Sequence, residues 1–419
     1  MSKPPDSNKE STAQSNRLSI LLIAPYYDKN VAGESWSTFK WIEGISERHN
    51  VTVLTTHKKG WDPATSPTRA NEIVNWTFFS LPTFLGRLER ELKPSYVRFY
   101  FRAQRWIKQA LKHGKHFDLV HQINPLALRY PCPARGLGLK YIMGPLAGSV
   151  QTPKGFQDGS SDKQWYRKLR NLDSWRIKHD PWLRNSYHDA ALILGVAPYV
   201  EEMLRSAKIK NFEVASETGV ESVNVTPKQA PAEGEPLRLL YVGRIIRTKG
   251  VIDAIRAVAI ASKTHELRFD VVGDGEMLQT CEKEAKNLGV TDIVHFHGRV
   301  PRDEVDDWYS QAHVFLFPSF REPSGNVVFE AMGHGLPVIT SNQGGPGYVV
   351  NSGCGYNIEP IKPECFCDKI SEAIEHIAND YSKITSMSTN SLRRIKALAL
   401  WESKHIAFNT TLHKTAARP

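Results

Sequence analysis

A nearly unbroken apolar run, followed by a loop that contains glycine and then by a helix, occurs twice in this chain. The first copy begins at residues 17–25 (RLSILLIAP) and the second at residues 237–244 (LRLLYVGR). An apolar run without alternation indicates a strand buried on both faces, as in parallel sheets that are covered by helices. Strand, glycine loop, helix and strand form the βαβ unit of a doubly wound sheet. The sequence therefore predicts an α/β protein with two Rossmann-like domains.

Chain length and one proline-rich segment give the expected domain boundaries. The 419 residues exceed one ordinary core and suit two domains. Residues 226–236 are rich in proline and lack a periodic pattern, which is typical of a linker. We therefore expect a first domain over residues 17–225, a second over 237–398 and a terminal helix over 399–419. The polar residues 1–16 are predicted to be a disordered tail.

Composition and charge exclude several classes of protein. The sequence has no run of about 18 apolar residues, so no transmembrane helix is expected, and the polar start lacks the apolar core of a secretory signal. The five cysteines show no zinc-ligand spacing, which favours reduced thiols in the cytoplasm. Residues 1–225 hold 32 Lys and Arg against 21 Asp and Glu, whereas the remainder is close to neutral. This distribution indicates an anionic surface or partner for the first domain. No nucleic-acid-binding motif accompanies it, so nucleic acid is not an expected partner.

Two stretches of the first domain combine aromatic and basic residues. Residues 84–116 contain six Phe, Tyr and Trp among nine Lys and Arg, and residues 163–184 are basic and rich in tryptophan. A helix at a membrane interface places apolar rings at headgroup depth and cations on anionic lipid. The alternative is an amphipathic helix that buries its aromatic rings in the core and exposes its charges. The first interpretation predicts a cytoplasmic protein peripheral on the inner face of the membrane, and the second needs no membrane.

The stretch from 318 to 340, PSFREPSGNVVFEAMGHGLPVIT, contains two glutamates eight positions apart. A helix is predicted to begin near Ser324 or Asn326, and its first backbone N–H groups have no partner within the helix. Such a helix start is an anion site. From Asn326 to Glu330 is roughly 6 Å along the helix axis. The stretch therefore suits a nucleotide, with a diphosphate at the helix start, a ribose diol on Glu330 and a sugar near Glu322.

Two cations follow the first predicted strand of the second domain. Arg244 comes directly after Gly243, and Lys249 precedes the glycine that opens the next helix. Both lie at the carboxyl edge of the predicted sheet, where ligands of open α/β sheets bind. There they can neutralise a diphosphate and stabilise negative charge that develops on a leaving group. After the next strand, Gly275 permits a close approach of the backbone to the phosphate.

Glu322 and Glu330, together with the glycines, prolines and apolar residues around them, resemble the E-x7-E signature of the family 4 retaining glycosyltransferases. That family has the GT-B fold, in which two Rossmann-like doubly wound domains face each other across a cleft. In that fold a terminal helix crosses back to the first domain. The resemblance implies a UDP- or GDP-sugar donor on the second domain and a glycan or lipid-linked acceptor on the first. It implies a retaining hexosyltransferase of exopolysaccharide, cell-surface glycan or glycolipid synthesis.

The resemblance also implies roles for individual residues. Glu322 would bind the transferred sugar, and Arg244 and Lys249 would stabilise the leaving phosphate, which acts as the base in a front-face reaction. His121, near the end of a predicted strand, would face the sugar from the first domain. These four are the expected catalytic residues. The expected donor-binding residues are Gly33, Gly243, Arg244, Lys249, Gly275, Val300, Ser324, Gly325, Asn326, Val327 and Glu330.

The chain departs from the family pattern at one loop and leaves alternatives open. Similar enzymes carry two adjacent glycines in the first loop, but Ala32 precedes Gly33 here, so a plain strand-to-helix turn is the alternative. The sequence contains no Asp-x-Asp, so no metal and no cofactor other than the donor is expected. A nucleotide-sugar epimerase of the same fold and a non-catalytic partner subunit are the alternative functions. A dinucleotide-dependent dehydrogenase is excluded because Leu278 replaces the third glycine of that fingerprint.

Overall fold

The chain forms two parallel sheets. The computed structural model describes residues 17–31, 33–57, 67–77, 94–157, 173, 175–223 and 225–418, so the predicted tail over residues 1–16 lies outside the described residues. The strands of the first sheet are β1 (Ser19–Ile23), β2 (Asn50–His57), β3 (Glu72–Thr77), β4 (Leu119–Gln122), β5 (Tyr141–Leu146), β6 (Leu192–Gly195) and β7 (Phe212–Val214). The strands of the second are β8 (Leu237–Val242), β9 (Leu267–Val272), β10 (Val294–Gly298), β11 (Val314–Phe317), β12 (Val338–Ser341) and β13 (Gly355–Ile358).

Both sheets have the strand order of a doubly wound fold. The first runs β3-β2-β1-β4-β5-β6-β7 and the second β10-β9-β8-β11-β12-β13. All the pairings between these strands are parallel. In each sheet the chain starts in the middle and reverses direction beside its first strand, at β1/β4 and at β8/β11. The prediction of two Rossmann-like α/β domains is confirmed.

Helices cover the sheets, and this explains the unbroken apolar runs. The helices are α1 (Glu34–Ser46), α2 (Pro94–Lys112), α3 (Pro181–His188), α4 (Tyr199–Leu204), α5 (Val251–Ala261), α6 (Leu278–Asn287), α7 (Val305–Gln311), α8 (Asn326–Gly333), α9 (Gly344–Val349), α10 (Pro363–Ala378), α11 (Ser382–Leu398) and α12 (Trp401–Ala417). Strand β1 contributes Leu21 and Ile23 to one hydrophobic cluster and Ile20 and Leu22 to another. The first sheet is therefore buried on both faces. The second domain has one large cluster of its own.

The last helix, α12, packs on the first sheet. Trp401 and Phe408 of α12 lie edge-on to Trp41 of α1, with ring centroids 6.1 and 4.8 Å away. Just before α12, Leu400 forms an isolated parallel bridge with Val220, which lies between the two sheets in the chain. The end of the chain is thus anchored at the point where the first domain leads into the second.

A short turn of the first half of the chain packs into the core of the second domain. The 3-10 turn Lys154–Phe156 places the Phe156 ring 4.4 Å from that of Phe320 and 5.7 Å from that of Phe366. Phe156 is 1% exposed and belongs to the hydrophobic cluster of the second domain. This aromatic contact joins the domains next to the loop that contains Glu322.

The burial of helix α2 partly answers whether the aromatic rings of the basic stretches lie at a membrane or pack in the core. Tyr96, Phe99 and Tyr100 are buried in the core of the first domain. Phe101 is 57% exposed and Val97 is 49% exposed. Five cations on the same face of α2 are also exposed: Arg98, Arg102, Arg105, Lys108 and Lys112. Most of these rings therefore form core, as the alternative predicted, while an exposed basic face with two apolar residues remains. Residues 84–93 and 163–172 lie outside the described residues.

Within the described part of the chain, no helix is long and apolar enough to span a membrane.

Candidate active site

The β11–α8 loop, residues 318–325, is shaped by the carboxylate of Glu322. Its Oε1 accepts hydrogen bonds from the backbone N–H groups of Gly325, at 3.1 Å, and Ser324, at 3.4 Å. Gly325 precedes helix α8 with φ +80°, and a Cβ there would come within 2.8 Å of Pro346. Only glycine fits both the left-handed backbone and this close contact. The loop therefore has a defined shape in which Glu322 lies at the start of the helix.

Lys249 forms an ion pair with Glu322 across two loops of the second sheet. Its Nζ contacts Oε2 of Glu322, and the two side chains are only 12% and 14% exposed. The ammonium also lies 5.5 Å from the centre of the Phe317 ring. Arg244, in the same loop as Lys249, is exposed, and its backbone carbonyl accepts a hydrogen bond from the hydroxyl of Tyr241. Two predicted catalytic residues, Lys249 and Glu322, are thus in contact, with Arg244 in the adjoining loop.

Glu330, one helical turn into α8, is bound by a cation that the sequence did not suggest. The guanidinium of Arg302 donates to both its carboxylate oxygens, each at 2.8 Å. The hydroxyl of Tyr309 donates to Oε2 at 3.2 Å. Burial, followed by the charge of Glu330, raises the pKa of Tyr309 well above its usual value, so this hydroxyl stays a donor. Glu330 is therefore an anchored carboxylate that is 23% exposed.

A cleft of about 560 Å³ connects Glu330 with the first domain. On one side lie Glu330, Asn326 and Arg302, and on the other lies Gly33, which precedes helix α1 with φ +88°. A Cβ added at Gly33 would have no other atom within 4 Å. Glycine is therefore favoured here by the positive φ and not by a lack of space. The remaining wall residues are Lys29, Asn30, Trp36, Ser37, Thr218, Gly219, Val220, Glu221, Ser222, Val225, Asp306, Gly333 and His334. Three predicted donor-binding residues from both halves of the chain, Gly33, Asn326 and Glu330, thus share one cleft.

The remaining predicted donor-binding residues flank this region. Gly243 directly follows β8. Gly275 follows β9, and a Cβ added to it would come within 2.4 Å of the Ile245 carbonyl oxygen. Val300, after β10, is half-buried, as is Val327 in the first turn of α8. The described residues contain no group of three or more His, Cys, Asp and Glu that is arranged to bind a metal ion.

His121 does not lie with the other predicted catalytic residues. It is fully buried within β4, between Trp41 and Phe408 at ring distances of 6.2 and 5.2 Å. Its Nε2 lies 2.6 Å from the carbonyl oxygen of Gly144 and so carries the proton of the neutral ring. Burial lowers the pKa of His121 to about 4. The expectation that His121 faces a sugar is therefore at odds with its place in the core, because strand β4 turns this side chain toward helices α1 and α12.

A third carboxyl group that the sequence did not indicate lies near the β11–α8 loop. Glu217, between β7 and β8, is 6% exposed, and its Oε2 meets no hydrogen-bond donor among the described residues. Burial raises its pKa to about 7, with smaller contributions of the same sign from Glu34 and Glu322. No motif identifies Glu217, because its neighbours come from distant segments.

Comparisons with known proteins fit this geometry. Residues 223–390, which contain the β8 and β11 loops, match the family model for glycosyl transferases group 1. The capsular polysaccharide biosynthesis glycosyltransferase CapM of Staphylococcus aureus is 29% identical over 189 residues, which cover 42% of this chain and 47% of CapM. The lipopolysaccharide core biosynthesis glycosyltransferase LpsE of Rhizobium meliloti is 29% identical over 196 residues, 46% of this chain and 54% of LpsE. The chain thus spans about half the length of these relatives.

Solved structures resemble the whole chain. HepE of Anabaena in complex with UDP has a TM-score of 0.65 at 14% identity, covering 95% of this chain and all of HepE. The apo form of the lipopolysaccharide outer core galactosyltransferase WaaB has a TM-score of 0.63 at 16% identity, covering 94% and 99%. At these identities the likeness shows the fold, which is GT-B. The family model, the relatives and the fold together support a glycosyltransferase.

Proposed function

We propose that this protein is a retaining glycosyltransferase of the family 4 type, which transfers a sugar from a nucleotide-diphospho-sugar to an acceptor hydroxyl. The observation that carries the proposal is the arrangement around helix α8. Glu322 lies at its start against Lys249, and Glu330 lies one turn along it in the cleft. A carboxylate, a helix start and a second carboxylate in this order suit a sugar, a diphosphate and a ribose.

Lys249 and Arg244 are the residues that we assign to the leaving diphosphate. In the free protein Glu322 neutralises Lys249, so an incoming diphosphate competes with this carboxylate for the ammonium. Charge-assisted hydrogen bonds to phosphate oxygens compensate for that lost pairing. Glu322 then becomes free to accept hydrogen bonds from hydroxyls of the transferred sugar.

Retention of configuration follows from departure and attack on the same face. The bond from the anomeric carbon to the diphosphate breaks, and the acceptor oxygen forms its bond on the side that the diphosphate leaves. A phosphate oxygen takes the proton of the acceptor hydroxyl. The protein then contributes charge stabilisation by Lys249 and Arg244 and needs no nucleophile. In this proposal the reaction is independent of metal ions.

UDP is the first donor base to test, with GDP as the alternative. HepE, which shares the fold, was crystallised with UDP. In this chain Glu330 would bind the ribose diol of either nucleotide, so the ribose contact does not discriminate between them. The base would lie near Val300, where a half-buried backbone segment after β10 can offer N–H and C=O groups.

We assign the acceptor to the first domain and expect a glycan or a lipid-linked glycan. The exposed face of α2 supports an anionic membrane surface, since five cations surround the exposed Phe101 and Val97. Such a face suits anionic lipid headgroups with shallow apolar insertion. Sedimentation with vesicles of phosphatidylglycerol and phosphatidylcholine tests this. Binding that weakens with salt and in Arg102→Glu supports a peripheral protein on the inner face of the membrane, and no binding removes the membrane from the proposal.

Thermal unfolding with a panel of nucleotides tests the donor. UDP, GDP, ADP and their glucose or mannose derivatives are added at about a hundredfold excess over the dissociation constant, where selective binding stabilises by about 2.7 kcal/mol. A shift with one base, unchanged by EDTA, supports a metal-independent transferase. The absence of any shift would favour a non-catalytic partner subunit instead.

Two variants test the site itself. Lys249→Ala and Glu330→Ala should each abolish transfer and reduce the nucleotide shift, while circular dichroism spectra stay unchanged. The matched control is Lys369→Ala, which removes an exposed Lys–Glu pair on α10 and should retain full activity. Wild-type transfer by either site variant would refute the assignment.

A further inference from the structure

We propose that the first domain carries an anion site of its own, which binds a phosphate group between helix α3 and the 3-10 turn Arg205–Ala207 that follows α4. The cavity there has a volume of about 290 Å³ and is lined by Arg184, Asn185, His188, Ser206, Ala207 and Lys208. Five of these six side chains carry nitrogen or hydroxyl donors, and none of the six is acidic. The site is separate from the donor cleft and does not depend on the reaction proposed there.

The donors of this cavity are not occupied by the protein itself. Four of these side chains have no hydrogen-bond or ion-pair partner among the residues that the structure describes: Arg184, Asn185, Ser206 and Lys208. The acidic residues at the two ends of α3 are already engaged. Asp180 caps the start of α3 and pairs with Arg176 at 2.9 Å, and Asp189 pairs with Arg135 at 2.7 Å. Because Arg184 is half-buried, an anion in the cavity would supply the counter-charge that its guanidinium lacks.

The backbone of Lys208 is held against α3 at this cavity. Lys208 has φ +51° and ψ +55°, a left-handed conformation that is uncommon for a residue with a Cβ. Its N–H donates to the carbonyl of Arg205 at 3.2 Å. Its own carbonyl accepts a hydrogen bond from Nδ1–H of His188 at 3.0 Å. The cavity is therefore formed by two segments whose backbones are tied to each other.

The donor set suits a phosphate group better than a carboxylate. A phosphate monoester carries a charge of about −1.5 to −2 near neutral pH and three strong acceptor oxygens. Arg184 can donate two parallel hydrogen bonds to such a group, and Lys208 can neutralise its second charge. The amide of Asn185 and the hydroxyl of Ser206 remain as donors for the third oxygen. With 290 Å³ against the 560 Å³ of the donor cleft, the cavity favours a small phosphate compound over a nucleotide-sugar.

The strand order places this cavity at the edge of the first sheet opposite the donor cleft. Helix α3 leads into β6 and the 3-10 turn leads into β7, so the cavity lies where strands begin. The loop of Gly33, which lines the donor cleft, comes after the end of β1. Strand β6 alone, with its four residues, spans roughly 13 Å at about 3.3 Å per residue. A small phosphate compound therefore cannot occupy both sites at once.

The charge of the first domain points to the same kind of ligand. Residues 1–225 hold 32 Lys and Arg against 21 Asp and Glu, which indicates an anionic partner for this half. Arg244 and Lys249, assigned to the donor diphosphate, belong to the second domain and do not account for this excess. Helix α3 also lies against α2, whose exposed face is basic, because the rings of Trp182 and Phe101 stack with centroids 6.2 Å apart. A lipid headgroup and a dissolved phosphate compound are therefore the two sources to distinguish.

Hydrogen exchange of the full-length protein with glycerol 3-phosphate tests the site. At about ten times the dissociation constant, the amides of residues 205–209 should exchange about tenfold more slowly, because opening of the turn then requires release of the ligand. Arg184→Gln and Lys208→Asn should each lose this protection, and asparagine tolerates the left-handed backbone of Lys208. The matched control is Lys210→Gln, which removes an exposed charge outside the cavity and should keep the protection. Protection that persists in both Arg184→Gln and Lys208→Asn overturns the proposal.

Vesicles distinguish the two sources of the phosphate group. Phosphatidic acid in phosphatidylcholine presents a phosphate monoester on a lipid, whereas phosphatidylglycerol presents only a diester. Protection of residues 205–209 by the phosphatidic acid vesicles alone assigns the site to a lipid headgroup, and protection by glycerol 3-phosphate alone assigns it to a dissolved compound. Protection by both supports the site and shows that the headgroup suffices for binding, whereas protection by neither overturns the proposal.

Lys249→Ala separates this site from the donor cleft. The variant should lose the shift with nucleotides and keep the protection of residues 205–209. If Lys249→Ala also abolishes that protection, the phosphate acts through the donor cleft, and the separate site is refuted. Protection of residues 205–209 in a parent chain that binds no nucleotide would keep the anion site and refute the donor assignment.

Discussion

His121 offers a direct test of whether burial or strand position decides the role of a residue in this fold. Its ring is fully buried, and its Nε2–H donates to the carbonyl of Gly144. His121→Gln keeps an N–H donor near the Nε2 position but cannot take up a proton near neutral pH. If His121 is a core residue, the substitution should change the pH dependence of stability and leave nucleotide binding as in the parent chain.

The magnitude follows from the two protonation equilibria of His121. Burial lowers the pKa of His121 in the folded chain to about 4, whereas the usual value for histidine is 6.5. Between these pH values the unfolded chain binds more protons, so the contribution of His121 to stability is fully present above about pH 6.5 and is lost as the pH falls. At pH 5 the loss amounts to about 2 kcal/mol. The unfolding free energy of His121→Gln should therefore fall less than that of the parent chain.

Urea denaturation at pH 7.5 and pH 5.0, followed by tryptophan fluorescence, measures this difference. Other histidines with lowered pKa values, such as His49 and His405, contribute to the acid sensitivity of both proteins and cancel in the comparison. His113→Gln, at the exposed end of α2, controls for the loss of a histidine as such. Equal pH dependence in His121→Gln and the parent chain, together with lost activity in the variant, would refute the burial argument and restore a role in the cleft.

Two further predictions concern the cleft and the domain contact. Arg302→Ala should tighten UDP binding, because the ion pair of Arg302 with Glu330 competes with the ribose. An exposed pair of this kind is worth about 1 kcal/mol at most, so the affinity should rise by up to about fivefold. Weaker binding by calorimetry would mean that Arg302 contacts the ligand instead. Phe156→Ala should lower the unfolding free energy by about 3–5 kcal/mol, because the ring fills a site beside Phe320. The exposed Phe101→Ala should change the unfolding free energy by no more than about 0.5 kcal/mol, and equal urea midpoints for the two Phe variants would contradict the domain contact.

The sequence predicted the fold because both sheets depend on local patterns. The apolar runs that contain β1 and β8 lack alternation, and the structure buries them on both faces. The β11–α8 loop also depends on local sequence, because Glu322, Gly325 and the start of helix α8 are close neighbours in the chain. Their geometry could be derived from helix capping and helix length alone.

Contacts between distant segments could not be derived in this way. Arg302 reaches Glu330 from a different loop, and Lys404 of α12 reaches the carbonyls of Ser216 and Thr218. His121 was placed near the end of a strand, as the structure has it, but the face of a strand that meets a helix depends on the whole topology. Helix α2 is different, because the spacing of Tyr96, Phe99 and Tyr100 on one helical face was present in the sequence and indicates burial.

The terminal helix shows how the site depends on residues outside the cleft. Lys404 is buried between the rings of Trp41 and Trp401, and burial lowers its pKa to about 7. A buried amine is tolerated here because the carbonyls of Ser216 and Thr218 accept its hydrogen bonds and the carboxyl of Glu217 lies near. The segment that carries Glu217 is thus shaped by a helix nearly two hundred residues later in the chain. Because Thr218 of the same segment lines the cleft, a substitution in α12 can change the shape of the cleft from outside it.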